Sequence, residues 1–229
     1  MMSKKYRHPL PFDTNFFQKE KLNSINYSVK ETFEKIYRSN HWGDANSASG
    51  NGSNDNQTKT LATELPKLFA KLNIDILLDL PCGDFNWLNK LELPIKKYIG
   101  GDIVPEIIQR NINLYRTPSR DFYELNLITD KLPNCDAILC RDCLVHLSND
   151  DIIKSITNIR RSSAKYFIST TFPECTENLD IITGDWRVIN LEIAPFNLPK
   201  PIFLLNENCT EGEGTYTDKS LAVWSIDDL

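Results

Sequence analysis

The sequence predicts an α/β fold, a mostly parallel sheet ending in an antiparallel hairpin, with a helical cap ahead of it. Three observations predict it. From residue 75 onward, short β-rich runs alternate with helical stripes, the rhythm of a parallel sheet with right-handed crossovers. The last two β-rich runs, PIFLLNENC (201–209) and SLAVWSI (220–226), are separated by the turn-rich EGEGTYTD, a hairpin signal. Two amphipathic helical stripes precede the first strand.

In chain order, the first 25 or so residues carry no clean period and read as an irregular arm. Val29, Phe33, Ile36 and Tyr37 recur at helical spacing, so 28–38 reads as a helix. NSASGNGSNDNQ (46–57) is too polar to bury a core and reads as a loop. Leu61, Leu65, Leu68, Phe69 and Leu72 form a second stripe, which Pro66 is expected to split or kink. DILLDL, KKYIGGDI, DFYEL, DAILC and AKYFIST are the strands, with helices PEIIQRNINLY and NDDIIKSITNIRRSS between them. We therefore divide the chain into an arm, helix and lid loop at 1–60 and an α/β domain at 61–229. No internal repeat is present.

With 229 residues, 41% apolar and 25% charged, the chain is long enough to bury a sizeable core. No apolar run approaches the roughly 18 residues of a membrane span. The basic start MMSKKYRHPLPFD lacks the apolar stretch of a signal peptide, so a cytoplasmic protein is expected. A net charge of −5 argues against nucleic acid as partner. Of the six cysteines, Cys140 and Cys143 form a lone C-x-x-C with no second pair and no suitably spaced histidines. A zinc site wants about four ligands, so they read as reduced apolar residues and no metal is expected.

The chemistry concentrates at predicted strand ends, where open α/β sheets bind ligands. Asp79 ends the first strand, and Pro81, Cys82, Gly83 and Asp84 form a tight turn after it. Only Gly83 stands where three glycines would line a pyrophosphate cradle, which weakens a dinucleotide reading. Asp102 ends the second strand roughly 20 residues on, placed to accept hydrogen bonds from a ribose diol, with Ile103 beside it. The alternative is a helix N-cap. Asn126 and Leu127 follow the third strand; Asn126 offers both donor and acceptor to a ligand in the crevice, or serves a turn. The fourth strand ends in CRDCLVHL, which brings Arg141, Asp142 and His146 to the same crevice.

The segment LLDLPCGDF resembles motif I of class I S-adenosylmethionine-dependent methyltransferases, with Pro81 and Phe85 where glycines are usual. SGNGS, LDLPCGDFNW, GGDIVPEII, CRDCLVHLS and TGDWR with a following NL and PF together resemble a narrower family. It occurs among sugar-modifying gene sets of bacteria and large algal viruses, and some members resemble rhamnose O-methyltransferases acting on glycans. The likeness covers most of the chain from Trp42 onward. It implies a Rossmann-like fold, S-adenosylmethionine as cofactor, a sugar or glycan acceptor, and the host cytoplasm as the location for a viral member.

Methyl transfer to an alcohol requires loss of a proton, and histidine suits that role. His8 lies in the arm and His41 precedes the loop, so His146 is the candidate base, Asp142 the runner-up, and a packing role for His146 the alternative. Trp186 and Arg187 in TGDWR should overlook the opening, stacking on a sugar and bonding its hydroxyls, or else pack a loop. The 42–57 segment, with Trp42 as hinge and Ser49, Gly50 and Ser53 as contacts to the cofactor carboxylate, is read as a lid, with a plain linker as its alternative. Rival functions are methylation of another small molecule or of nucleic acid, and cofactor binding without catalysis.

Overall fold

The computed structural model describes residues 13–43 and 47–229. His8, the first twelve residues of the arm and Asn46 lie outside them. A helix the sequence did not suggest, α1 (Phe16–Leu22), stands where an irregular arm was expected. Its seven residues are too few to show a period, and its first turn is capped from far along the chain: the backbone amides of Phe17 and Gln18 donate to Asp185 at 2.7 and 3.0 Å. Helix α2 (Val29–Ser39) starts at a capping box, Ser28 and Glu31 each satisfying the other's amide.

Helix α3 (Lys59–Leu72) runs through Pro66 as one element rather than splitting. Leu61, Leu65 and Phe69, on both sides of the proline, are fully buried on one face. Burying each contributes about 1.5–3 kcal/mol, together more than the roughly 3 kcal/mol cost of an interior proline.

Strands β1 (Ile76–Asp79), β2 (Lys97–Asp102), β3 (Arg120–Glu124), β4 (Ala137–Cys140) and β5 (Tyr166–Thr171) are parallel. Helices α4 (Pro105–Tyr115) and α5 (Asn149–Arg160) cross between β2 and β3 and between β4 and β5. Strands β6 (Phe203–Asn206) and β7 (Ser220–Ser225) form the hairpin, with β7 inserted antiparallel beside β5. The sheet order is β3-β2-β1-β4-β5-β7-β6. Leu77 and Leu78 are both fully buried and belong to core clusters on opposite faces, as expected for a central strand covered on both sides. Strand order reverses between β1 and β4, so their carboxyl ends flank the natural binding crevice. No helix among the described residues is long and apolar enough to cross a membrane.

Candidate active site

The loop after β1 is tied to its neighbours by backbone bonds. The Cys82 amide donates to the Gly101 carbonyl at 2.7 Å, and the Gly83 amide donates to the Asp102 carboxylate at 3.1 Å. Gly83 has φ +51°, and a Cβ there would stand 2.0 Å from Ser49 Oγ, so a side chain would be strained and would displace the Ser49 hydroxyl of the overlying loop. Phe85 also has positive φ, 54°. Strain there costs about 1–2 kcal/mol. Burial of the ring against Tyr98, Tyr115 and Phe122 offsets it.

Above this loop a cavity of about 1080 Å³, measured out to its mouth, opens at the ends of β1, β2 and β4, with α2 and the 47–53 loop as its outer wall. Every residue assigned to the cofactor from the sequence lines it except Gly50. That glycine packs behind Trp42, where a Cβ would meet the Trp42 Cβ at 3.1 Å. Burial pushes the Asp79 carboxyl up to about 7, helped by nearby Asp102 and opposed by the Tyr98 hydroxyl, which donates to it at 2.6 Å. Burial likewise raises Asp102 to about 6, against the amides of Val104 and Gly83. Asp102 accepts from Val104 N at 3.0 Å, closing a turn ahead of α4 rather than capping it, since Val104 holds the N-cap place, while also facing the cavity. Asn126 Oδ1 accepts from the Ile128 amide at 2.9 Å, so its oxygen holds a turn at the cavity rim.

The 47–53 loop is pinned rather than loose. Asp84 accepts from Ser47 Oγ at 3.1 Å and from the Ala48 amide at 2.9 Å. Arg141 donates to the Gly52 carbonyl at 2.8 Å. The same Arg141 nitrogen meets Glu207 at 2.7 Å, both side chains almost fully buried. Lys219 donates to Asp142 at 2.8 Å and lies 3.7 Å from Glu207. Burial alone would raise Asp142, but Arg141 and Lys219 outweigh it and hold the carboxyl well below the usual range. Asp142, its amide and one oxygen also engaged by Thr170, is thus a poor proton acceptor.

His146 is buried, and its Nδ1 lies 3.0 Å from the Asp185 carbonyl oxygen. A carbonyl only accepts, so Nδ1 carries the proton and Nε2 the lone pair. Burial lowers the imidazole to about 4, keeping it neutral at pH 7, though the Asp185 carbonyl and Asp142 pull the other way. Trp42 lies over the ring, with centroids 4.6 Å apart. A second cavity of about 890 Å³ adjoins the first; Trp42, Ser49, Asp142 and His146 line both.

No protein-family sequence model matches the chain, and no curated protein matches it by sequence. Solved structures do. The N-methyltransferase NodS from Bradyrhizobium japonicum superposes with a TM-score of 0.57 at 15% identity, covering 76% of this chain and 98% of NodS. An S-adenosylmethionine-dependent methyltransferase from Clostridium acetobutylicum gives 0.53 at 13% identity, over 73% of this chain and 91% of that one. Human N-acetylserotonin methyltransferase, solved with S-adenosylmethionine, gives 0.55 at 11% identity, over 86% and 56%. The fold is that of the class I methyltransferases. Such identities carry the architecture and not the acceptor.

Within this methyltransferase fold, Trp186 lines the second cavity, whereas Arg187 lines neither. The Arg187 guanidinium donates to the carbonyls of Leu144, Leu147 and Leu179 and to Asn149, stapling the His146 turn from behind. A buried arginine so engaged has no donor facing an acceptor. Sequence reasoning missed Asp185, Glu207, Glu211, Tyr216 and Lys219. Asp185 and Glu211 were visible as acids in TGDWR and EGEG, but Glu207 and Lys219 carried no local signal.

Proposed function

We propose that the protein is an S-adenosylmethionine-dependent O-methyltransferase whose acceptor is a hydroxyl of a sugar or glycan. The observation that carries this reading is His146, a neutral imidazole with Nε2 unprotonated, in the wall shared by two cavities. The first cavity suits the cofactor on its own features. A buried carboxylate, Asp102, stands at the β2 end for ribose hydroxyls, Ile103 and Leu127 offer apolar faces for a purine, and the positive-φ Gly83 keeps side-chain bulk off the floor. Ser49 and Ser53 on the pinned loop supply small polar groups for the methionine end. When bound, the cofactor supplies an electrophilic methyl group that the acceptor oxygen takes by in-line displacement, the C–S electron pair leaving with sulfur.

The protein's share is alignment and proton removal. The acceptor hydroxyl proton passes to His146 Nε2. The ionised Asp142 nearby favours the imidazolium that forms, and Nδ1 stays anchored on the Asp185 carbonyl. Trp42 and the 47–53 loop keep bulk water from the reacting atoms. In the second cavity, Trp186 offers an aromatic face to a sugar ring.

The test is binding followed by turnover. Calorimetry should show S-adenosylhomocysteine binding, and mass spectrometry should show one methyl added to a ring hydroxyl of a rhamnoside. No binding of either cofactor form would overturn the whole reading. Methylation of RNA with none of any sugar would overturn the acceptor.

A further inference from the structure

The second cavity combines aromatic and charged side chains. Its aromatic wall is built from Trp186 and Tyr216, packed edge to face at 5.2 Å, with Phe172 behind Tyr216 at 6.1 Å. Opposite stand the carboxylates of Asp142 and Glu211 and the ammonium of Lys219. Lys219 is buried and committed to Asp142 at 2.8 Å, and Arg141 behind it is committed to Glu207. Among the described residues of this wall, then, both cations are already paired with acids. Asp142 and Glu211 against Lys219 leave one net negative charge on the lining.

Glu211 differs from its neighbours. It sits at the start of the turn joining the hairpin strands, its side chain about a quarter exposed (28%). Its nearest polar partners are the Cys209 thiol at 3.8 Å and Lys219 Nζ at 4.0 Å, both beyond a strong hydrogen bond. Burial raises its pKa, so the carboxylate gains by acquiring donors. Ring hydroxyls supply donors, and an aromatic face supplies the apolar contact a sugar ring's C–H surface needs. A phosphate or diphosphate would instead meet two carboxylates with no unpaired cation.

We propose that the second cavity is an acceptor subsite for an uncharged, polyhydroxylated ring, with Glu211 as the residue that accepts from its hydroxyls and excludes phosphorylated acceptors. This rests on the methyltransferase reading for the chemistry, but the recognition stands on the cavity alone.

The experiment therefore has a binding arm and a turnover arm. Saturation-transfer NMR on the S-adenosylhomocysteine-loaded protein, with methyl rhamnoside as probe, should show binding. The nucleoside diphosphate form of the same sugar should bind at least about tenfold more weakly. Losing a hydrogen bond to a charged group, Glu211→Ala should weaken the glycoside by about 10- to 100-fold and raise KM with kcat little changed. Glu211→Gln should recover part of the loss, and cofactor affinity should be that of the wild type in both. Unchanged glycoside affinity in Glu211→Ala, equal binding of the diphosphate form, or no glycoside binding at all would each overturn the proposal. Glycoside binding that is lost in Glu211→Ala, with no methyl transferred by the wild type, would support the subsite and overturn the catalytic reading instead.

Discussion

His146 and Asp185 are joined through the backbone and not through the carboxylate: the imidazole Nδ1 faces the Asp185 carbonyl oxygen at 3.0 Å, while the Asp185 side chain caps α1. One residue thus fixes the tautomer of the candidate base and docks the N-terminal helix. Arg187, two residues on, holds the carbonyls of the turn that carries His146. The TGDWR segment is a bracket for the base rather than a sugar-binding motif throughout; only Trp186 faces a cavity.

Removal of the base is the first expectation. His146→Ala should lower turnover by about 10²–10⁴-fold, the usual worth of a positioned general base, with cofactor affinity nearly intact. Because burial holds the imidazole at about 4, kcat at saturating cofactor should stay level through pH 6.5 and fall only as pH approaches 4. Stopped assays across pH 4–8 check this. Activity surviving within a few-fold in the alanine variant would make His146 structural.

The second expectation concerns stability and pH. Asp79 and Asp102, raised to about 7 and about 6 from 3.8, keep protons in the folded state that the unfolded chain releases. Their contribution is full below 3.8 and is lost as pH rises through 6 and 7. His146 works oppositely: folded at about 4 against 6.5 unfolded, it favours the folded state above 6.5 and loses that contribution as pH falls towards 4. Above pH 6.5 the His146 contribution is nearly complete and the loss from Asp79 outweighs what remains of it, so the melting temperature of the unliganded protein should fall between pH 6.5 and 8. Asp79→Asn, which still accepts from Tyr98, should flatten the fall. An equally steep fall in the variant would refute it.

A third expectation follows from the buried Arg141–Glu207 pair. Removing one partner leaves an uncompensated buried charge, so Glu207→Gln or Arg141→Met should each destabilise by about 3–5 kcal/mol. Making both changes should cost less than the sum of the two. Denaturant unfolding of the four proteins measures the coupling, and strict additivity would show the pair to be uncoupled.

Much of this was legible in the sequence because it is local. Strand runs ending in Asp79, Asp102 and Cys140 placed the crevice, since a parallel sheet collects its carboxyl ends on one side. Most of the cofactor assignments came from those same ends, and Trp42, Ser49, Gly50 and Ser53 from the loop ahead of the first strand. What was not legible depends on distant partners. The pairing of Arg141, read as a cofactor contact, was not visible, because Glu207, 66 residues on, is brought to it only by the return of the hairpin. Helix α1 was missed because its cap comes from a residue 168 positions away. Pro66 misled for a different reason: local propensity was outweighed by buried side chains on either side of it.

The last expectation concerns the 47–57 loop, read from composition as either lid or linker. Its contacts tie it to the cavity wall: Ser47 and Ala48 bond Asp84, Gly52 receives Arg141, and Ser49 rests on Gly83. Each anchor touches a residue lining the proposed cofactor cavity, so ligand there should tighten the loop, and loosening the loop should weaken the ligand. Gly50 carries φ +80° with Trp42 at its back. Gly50→Val brings both left-handed strain and a clash with the ring that covers His146. It should impair S-adenosylhomocysteine binding while the protein stays folded by circular dichroism. Asp84→Ala, which removes the anchor without adding bulk, should do the same more mildly. Hydrogen exchange across 47–57 should slow when S-adenosylhomocysteine is added to the wild type and respond less in both variants. Exchange that stays fast with ligand bound would show the segment to be a linker, its bonds to Asp84 and Arg141 too weak to close it.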